Sequence, residues 1–186
     1  SSQKRICDAW NKEHSIPQSW FGEKSPMKSD LFHVYPTDAR VNNFRSNMPY
    51  GETSNRSYID GDSKALGYIG TSNFSGYSGK VFEPIDEYKG DFARAYFYVA
   101  TAYHDMQWDA TYSKYVTNNS YLTFTPHLVE VLLLWHRIDP VSEKEINRLD
   151  AISSIQHNRN PFIEYPELVE YIWGNMQGHA VELSRL

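Results

Sequence analysis

WNKEHSIPQSWFG, running from Trp10 to Gly22, and DLFHVYPTDARVNNFRSNMPYGE, from Asp30 to Glu52, spell out two extended segments and a helix. Residues 6–16, ICDAWNKEHSI, hold aromatic and branched side chains without a helical period, which predicts a strand with Glu13 and His14 at or near its end. Pro17 stops regular pairing, and Ser19-Trp20-Phe21-Gly22 reads as a turn anchored by two buried rings. Ser25-Pro26 leads to a second extended piece, Asp30–Tyr35, placed to form a hairpin with the first. Pro36 and Thr37-Asp38 are helix-starting residues, and a helix is expected as far as Asn47. Val41 and Phe44 form its packing stripe, Asn42 and Arg45 share another face, and Pro49 ends it because Met48 is pushed toward extended geometry.

Outward from this core motif, about 6–48, the region 49–90 is loop and short strand. Gly61, Gly67, Gly70, Gly76 and Gly79 break any long element, with strands expected around Ser57–Asp60 and Tyr68–Thr71. Such a stretch serves equally as a binding loop or as a plain surface hairpin. Residues 91–174 are helical. Asp91 caps a helix to roughly Asp105, with Phe92, Tyr96, Val99 and Tyr103 on one face and Arg94, Tyr98 and Thr101 on another. Thr125-Pro126 opens a second whose buried stripe is Leu128, Val131, Leu132 and Trp135, closed by Asp139-Pro140. Ser142 and Glu145 spell a capping box, with Val141 and Ile146 as its apolar staple, for a helix to about His157. Asn158-Arg159-Asn160-Pro161 is a polar loop, Pro166 begins a last helix that Gly174 ends, and 175–186 are a loosely attached tail. Strands and helices that do not alternate strictly give an α+β class in a single domain.

The composition narrows the function. The chain has 186 residues and a formal charge of −5, with a pI near 5.8. That balance argues against coating nucleic acid along the whole surface, and leaves a local basic cleft as the alternative. Fourteen tyrosines and five tryptophans require many half-buried polar ring atoms to find partners. Cys7 is the sole cysteine and closes no bridge within the chain. No apolar run is long enough to span a bilayer. The opening residues, SSQKRICDAW, have neither the charged start nor the apolar middle of a secretion signal, so either the protein is intracellular or a leader was removed before this chain begins.

Adjacent acid and imidazole, followed about thirty residues later by an Asn- and Arg-bearing helix, suit the holding of a metal ion against a phosphate. A Glu-His pair alone is two letters. The context carries the weight: WNKEHSIPQSWFG, DLFHVYPTD, VNNFRSN with PYGE, FEPIDEYKGDFARAYFY, and IQHNRNPFI with PELVEYIW occur in order over nearly the whole chain. In these motifs the sequence closely resembles the bacterial endonuclease I family, in the version found in secreted nucleases of Bacteroidetes-like bacteria.

That resemblance implies a ββα-metal (His-Me finger) nuclease core with additional packed helices and short strands. It further implies that Glu13 binds the metal, that His14 activates water, and that Asn42 completes the hold on the metal. One divalent ion is implied, Mg²⁺ first, with Ca²⁺ or Mn²⁺ as alternatives; a carboxylate and an amide carbonyl suffice for an ion that keeps several waters. His14 is expected to be neutral, with one ring nitrogen oriented by a carbonyl or carboxylate. The substrate implied is DNA and also RNA, cut with little sequence preference to leave 5′-phosphates, by a secreted or periplasmic monomer that engages no membrane. Two roles fit His33: a partner of the metal waters or of Glu13, or a buried hydrogen-bonded ring. Arg45 is the first candidate to grip the scissile phosphate, because it shares the helix face of Asn42. Arg94 suits either phosphate contact or an ion pair in the core, and Arg159 with Asn158 either contacts phosphate or ties its loop. Relatives with a cysteine-rich insertion after the Glu-His pair place a transition-state arginine there, and this chain has neither insertion nor cysteines. The reading from a different class is a degenerate nuclease fold that binds nucleic acid or protein without cutting. A calcium-stabilised module calls for more clustered acids than this sequence shows.

Overall fold

The computed structural model describes residues 5–58, 67–119, 121 and 123–181. β1 (Trp10–His14) pairs antiparallel with β2 (Val34–Asp38), in a register that sets Glu13 opposite Tyr35 and His14 opposite Val34. The predicted hairpin therefore forms, but its second strand starts later. Asp30 accepts a hydrogen bond from the Phe32 amide at 2.9 Å and caps a 3-10 turn over Leu31–His33, which delays extended geometry to Val34. Pro36 lies inside β2, where a two-stranded sheet leaves one edge of each strand open and tolerates the missing N–H.

α1 (Ala39–Arg45) follows directly. Asp38 caps it, its carboxylate accepting from the amides of Arg40 at 2.8 Å and Val41 at 3.1 Å. The helix is seven residues long and ends at Arg45, two residues short of the expected Asn47, with φ +53° at the Ser46 that follows. Val41 is buried, whereas Phe44 is 41% exposed with the Arg40 guanidinium over its ring. The packing stripe is therefore Ala39, Val41 and Arg45, the faces of a short helix being set by the hairpin beneath it.

A second antiparallel sheet orders β3 (Ser57–Tyr58), β4 (Tyr68–Thr71) and β5 (Lys80–Glu83). Ile59, Asp60 and Gly61 of the expected strand and break lie outside the described residues. α2 (Lys89–Ala102) is the central element: every residue from Ala93 to Ala100 is buried. Its N-cap is Tyr88, and Asp91 sits in the first turn, drawn there by an ion pair with Lys144 at 3.0 Å. α2 packs chiefly on α3 (Pro126–Ile138), whose buried Leu128, Val131, Leu132 and Trp135 are the predicted stripe.

α4 (Glu143–Gln156) begins at its predicted cap, with Ser142 Oγ accepting from the Glu145 amide at 3.3 Å. The reciprocal half of the capping box does not form. Glu145 turns its carboxylate to Arg94 instead, and Ile146 is 47% exposed. Asn160, fully buried, caps α5 (Pro161–Glu164) and donates to the Arg94 carbonyl at 3.3 Å. α6 (Leu168–Ile172) starts two residues beyond Pro166. Of the expected tail, residues 182–186 lie outside the described residues, and Gln177 is fastened by donating to Tyr121 Oη and the Ile172 carbonyl, both at 2.7 Å. Among the described residues no helix is long and apolar enough to cross a membrane.

Candidate active site

His14 closes β1, and its ring is fixed from one side. Nε2 lies 2.8 Å from the Lys28 carbonyl; because a carbonyl only accepts, Nε2 carries the proton and Nδ1 the lone pair. Nδ1 is buried and has no hydrogen-bond partner among the described residues. Burial lowers the pKa of His14, an effect that the bond to Lys28 opposes without cancelling. The ring is therefore held as a neutral base.

His33 repeats the pattern one residue back along the same turn. Its Nε2 donates to the Met27 carbonyl at 2.7 Å, its Nδ1 is likewise without a partner, and desolvation takes its pKa down to about 4. It meets the His14 ring edge-on, with centroids 5.4 Å apart, and Phe21 packs against both rings. Of the two roles expected for His33, its geometry is that of the buried, hydrogen-bonded ring, with no contact to Glu13 among its hydrogen bonds. It supports the imidazole.

Arg45 requires a correction. It is 2% exposed, and its guanidinium donates to the Glu13 carboxylate, to the His14 carbonyl at 2.7 Å and to the Ser15 carbonyl, with the Tyr50 ring 4.2 Å away. Tyr96 Oη adds a second donor to Ser15 O at 2.9 Å. Arg45 does share with Asn42 the face that meets β1, but its two terminal nitrogens point at three acceptors of the Glu13–Ser15 backbone and side chain, and its Nε has no hydrogen-bond partner among the described residues. Its terminal nitrogens are engaged within the fold, although the residue lines the cleft of Glu13 and Asn42. Asn42 points its NH₂ at the Lys12 carbonyl, 3.1 Å away, so its amide oxygen is the acceptor left to a ligand.

Glu13, His14 and Asn42 line one open cleft, together with Gln18 and Ser19 of the turn after β1 and Asn47 beyond α1. Among the described residues no group of three His, Cys, Asp or Glu side chains is arranged for a metal. The donor set is instead one carboxylate and one amide oxygen, with one carboxylate oxygen already taken by Arg45. Such a sparse oxygen set fits a hard divalent ion that keeps most of its waters, and does not fit a structural zinc.

The remaining sequence candidates lie elsewhere. Arg94 is fully buried in a bidentate pair with Glu145, Nε to Oε1 at 2.8 Å, and donates to the Asp139 carbonyl at 2.9 Å. It is a bolt between α2 and α4, not a phosphate ligand. Arg159 is exposed and pairs with Asp150 at 3.0 Å and with Glu164, while Asn158 donates to Tyr98 Oη at 2.9 Å. Neither lines the cleft of Glu13 and Asn42. Glu52, at the end of the opening stretch, accepts from Trp135 Nε1 at 2.6 Å and pairs with Lys89 at 2.7 Å, so it belongs to a buried anchor. What the sequence hides is the role of Met27 and Lys28, which act through carbonyls that no side-chain pattern announces.

The Endonuclease I family model matches residues 1–167. Over 171 residues the chain is 37% identical to a protein of Bacillus amyloliquefaciens named extracellular ribonuclease, covering 88% of this chain and 54% of that protein. The like-named protein of Bacillus subtilis (strain 168) is 36% identical over the same extent. Endonuclease-1 of Buchnera aphidicola subsp. Acyrthosiphon pisum is 26% identical over 138 residues, 74% of this chain and 45% of that protein. The chain thus spans about half the length of the curated relatives it matches.

Proposed function

Because this chain belongs to the endonuclease I family, we propose that it is a divalent-metal-dependent endonuclease with a ββα-metal core, hydrolysing RNA and DNA with little sequence preference. One observation carries the assignment of the base: His14 has Nε2 tied to the Lys28 carbonyl and Nδ1 without a hydrogen-bond partner, on a residue that lines the cleft shared with Glu13 and Asn42. Glu13 and Asn42 would hold the ion, Mg²⁺ first among Mg²⁺, Mn²⁺ and Ca²⁺. When bound, the ion supplies electrostatic stabilisation of the charge that grows on the phosphate oxygens.

The rest is the work of this chain. His14 Nδ1 takes a proton from water as the water oxygen bonds to phosphorus; the P–O3′ bond breaks, leaving a 5′-phosphate and a 3′ oxygen that is protonated from solvent. Arg45 holds Glu13, His14 and Ser15 in register, so that acid and base keep one spacing. The Lys28 carbonyl fixes the tautomer and favours the imidazolium that forms on proton transfer. Contact through phosphate alone reads no base edge, which accounts for low sequence preference. The names of the Bacillus relatives support secretion as well as action on RNA.

The test is incubation of plasmid and of RNA with the purified protein, with Mg²⁺ and with a chelator. Cleavage of at least one, abolished by chelator and leaving ligatable 5′-phosphate ends, is expected. His14→Ala should lower turnover by about 10³-fold or more, within the range for loss of a general base, while leaving Mg²⁺ binding in place. Products with 3′-phosphates, or turnover retained by His14→Ala, would overturn the assignment of the base.

A further inference from the structure

Trp10 opens β1, and its indole is 72% exposed, more than any other large apolar side chain among the described residues. A side chain of this size is ordinarily covered over most of its area. Among the described residues no second ring and no cation lies over it, so the ring is open to a ligand. The two-residue alternation of a strand puts the side chains of Trp10, Lys12 and His14 on one face, across from Asp38, Pro36 and Val34 of β2. Trp10, Lys12 and Pro36 are exposed there, and at about 3.4 Å per residue Trp10 stands about 14 Å from His14. Lys12 joins the two ends. It lines the catalytic cleft with Glu13 and His14, and its carbonyl accepts from Asn42 at 3.1 Å. Beyond it an open recess walled by Cys7, Ala9, Pro36 and Thr37 adjoins the indole. Asp38, the acid across from Trp10, has its carboxylate engaged by the amides of Cys7 at 2.6 Å, Arg40 at 2.8 Å and Val41 at 3.1 Å.

We propose that Trp10 stacks an unpaired base of the substrate strand, on the flank of the cut and beyond the nucleotides that the cleft itself engages, so that single strands are preferred to duplex. The inference rests on the nuclease reading of the neighbouring cleft. Three observations carry it together. The indole is uncovered, it shares one face of one strand with the general base His14, and Lys12 lies between them, where a phosphate of the same strand would pass. Stacking accepts every nucleobase because each has a π-face, in keeping with little sequence preference. Bases in a duplex keep their faces covered by their neighbours, so the contact selects unpaired strands. An uncharged contact also suits a chain of formal charge −5.

Fluorescence anisotropy with full-length His14→Ala protein and Mg²⁺ measures the binding of a labelled oligothymidylate, an abasic strand of the same length, and a duplex. Trp10→Ala, added to His14→Ala, should weaken binding of the oligothymidylate about tenfold, within what one base–aromatic stack contributes, and change the other two by less than about twofold. Trp10→Leu, which keeps apolar bulk without a ring system, should lose as much, and Trp10→Phe should retain most of the affinity. Circular dichroism verifies that each variant is folded. An oligothymidylate affinity unchanged in folded Trp10→Ala and Trp10→Leu overturns the proposal, as does a loss shared equally by the abasic strand or by the duplex. Wild-type protein assayed alongside on plasmid and RNA separates the two readings: cleavage without a base-dependent loss removes the role of Trp10 alone, and absence of cleavage removes the nuclease reading.

Discussion

Arg45 turns its charge inward, and this decides how the chemistry of the chain is assembled. A guanidinium with five donors in a rigid fork serves a carboxylate and two carbonyls at once, which an ammonium cannot. Arg45→Lys is therefore expected to lower turnover by about 10²-fold, the cost of slight misplacement of reacting groups, with Mg²⁺ binding measured by calorimetry changed much less. Arg45→Met leaves Glu13 buried without its partner and should cost about 3–5 kcal/mol of stability in denaturant unfolding. The histidines provide a different readout. His33 and His136 are both held near a pKa of about 4 by burial, below the ordinary 6.5, so between those values the unfolded chain binds protons that the folded chain refuses. Stability should thus fall as pH drops from 6.5 toward 4, with a slope of up to about 1.4 kcal/mol per pH unit for each histidine. His33→Gln, which retains a donor for the Met27 carbonyl, should flatten that slope in melts recorded across the range; an unchanged slope would mean that His33 titrates in the fold as freely as in the open chain.

At the scale of elements, α4 shows one residue recruited away from its local motif. Ser142 and Glu145 have the letters of a capping box, and the Ser142 half forms, so Ser142→Ala should cost about 1 kcal/mol. Glu145 is instead the partner of Arg94. Glu145→Gln should therefore destabilise by several times as much, since it leaves a buried guanidinium against a neutral amide. Equal losses in thermal unfolding for the two variants would show that the pair matters no more than the cap. The hairpin and α1 illustrate the reverse case. Their order was legible in Pro17, Asp38 and Pro49, because turn and cap residues act on their immediate neighbours. The boundaries were not, because the Asp30 cap and the left-handed Ser46 are settled by what surrounds them.

For the whole molecule, the acidic balance and the arginine placements belong together. Arg94 is buried and Arg159 is paired with two carboxylates, while Arg45 lines the cleft with its terminal nitrogens already engaged by Glu13, His14 and Ser15. Lys12 lines the cleft, and a binding mode with one or two phosphate contacts predicts a shallow salt response. The logarithm of affinity for single-stranded substrate should fall with log salt at a slope of about −0.7 to −1.4. A slope several times steeper, in titrations of His14→Ala protein, would show that more cations than Lys12 meet the strand.

Sequence by itself determined the strand, strand, helix order, the stripe of α3 and the start of α4, since periodicity and caps are local signals, and it put forward Glu13, His14 and Asn42 as a candidate set through resemblance to a family. Tertiary structure alone decided which arginines are held in buried ion pairs, which nitrogen of His14 is without a partner, and that the carbonyls of Met27 and Lys28 orient two imidazoles. Those outcomes depend on desolvation and on backbone groups arriving from distant segments, and neither quantity is written in the order of side chains.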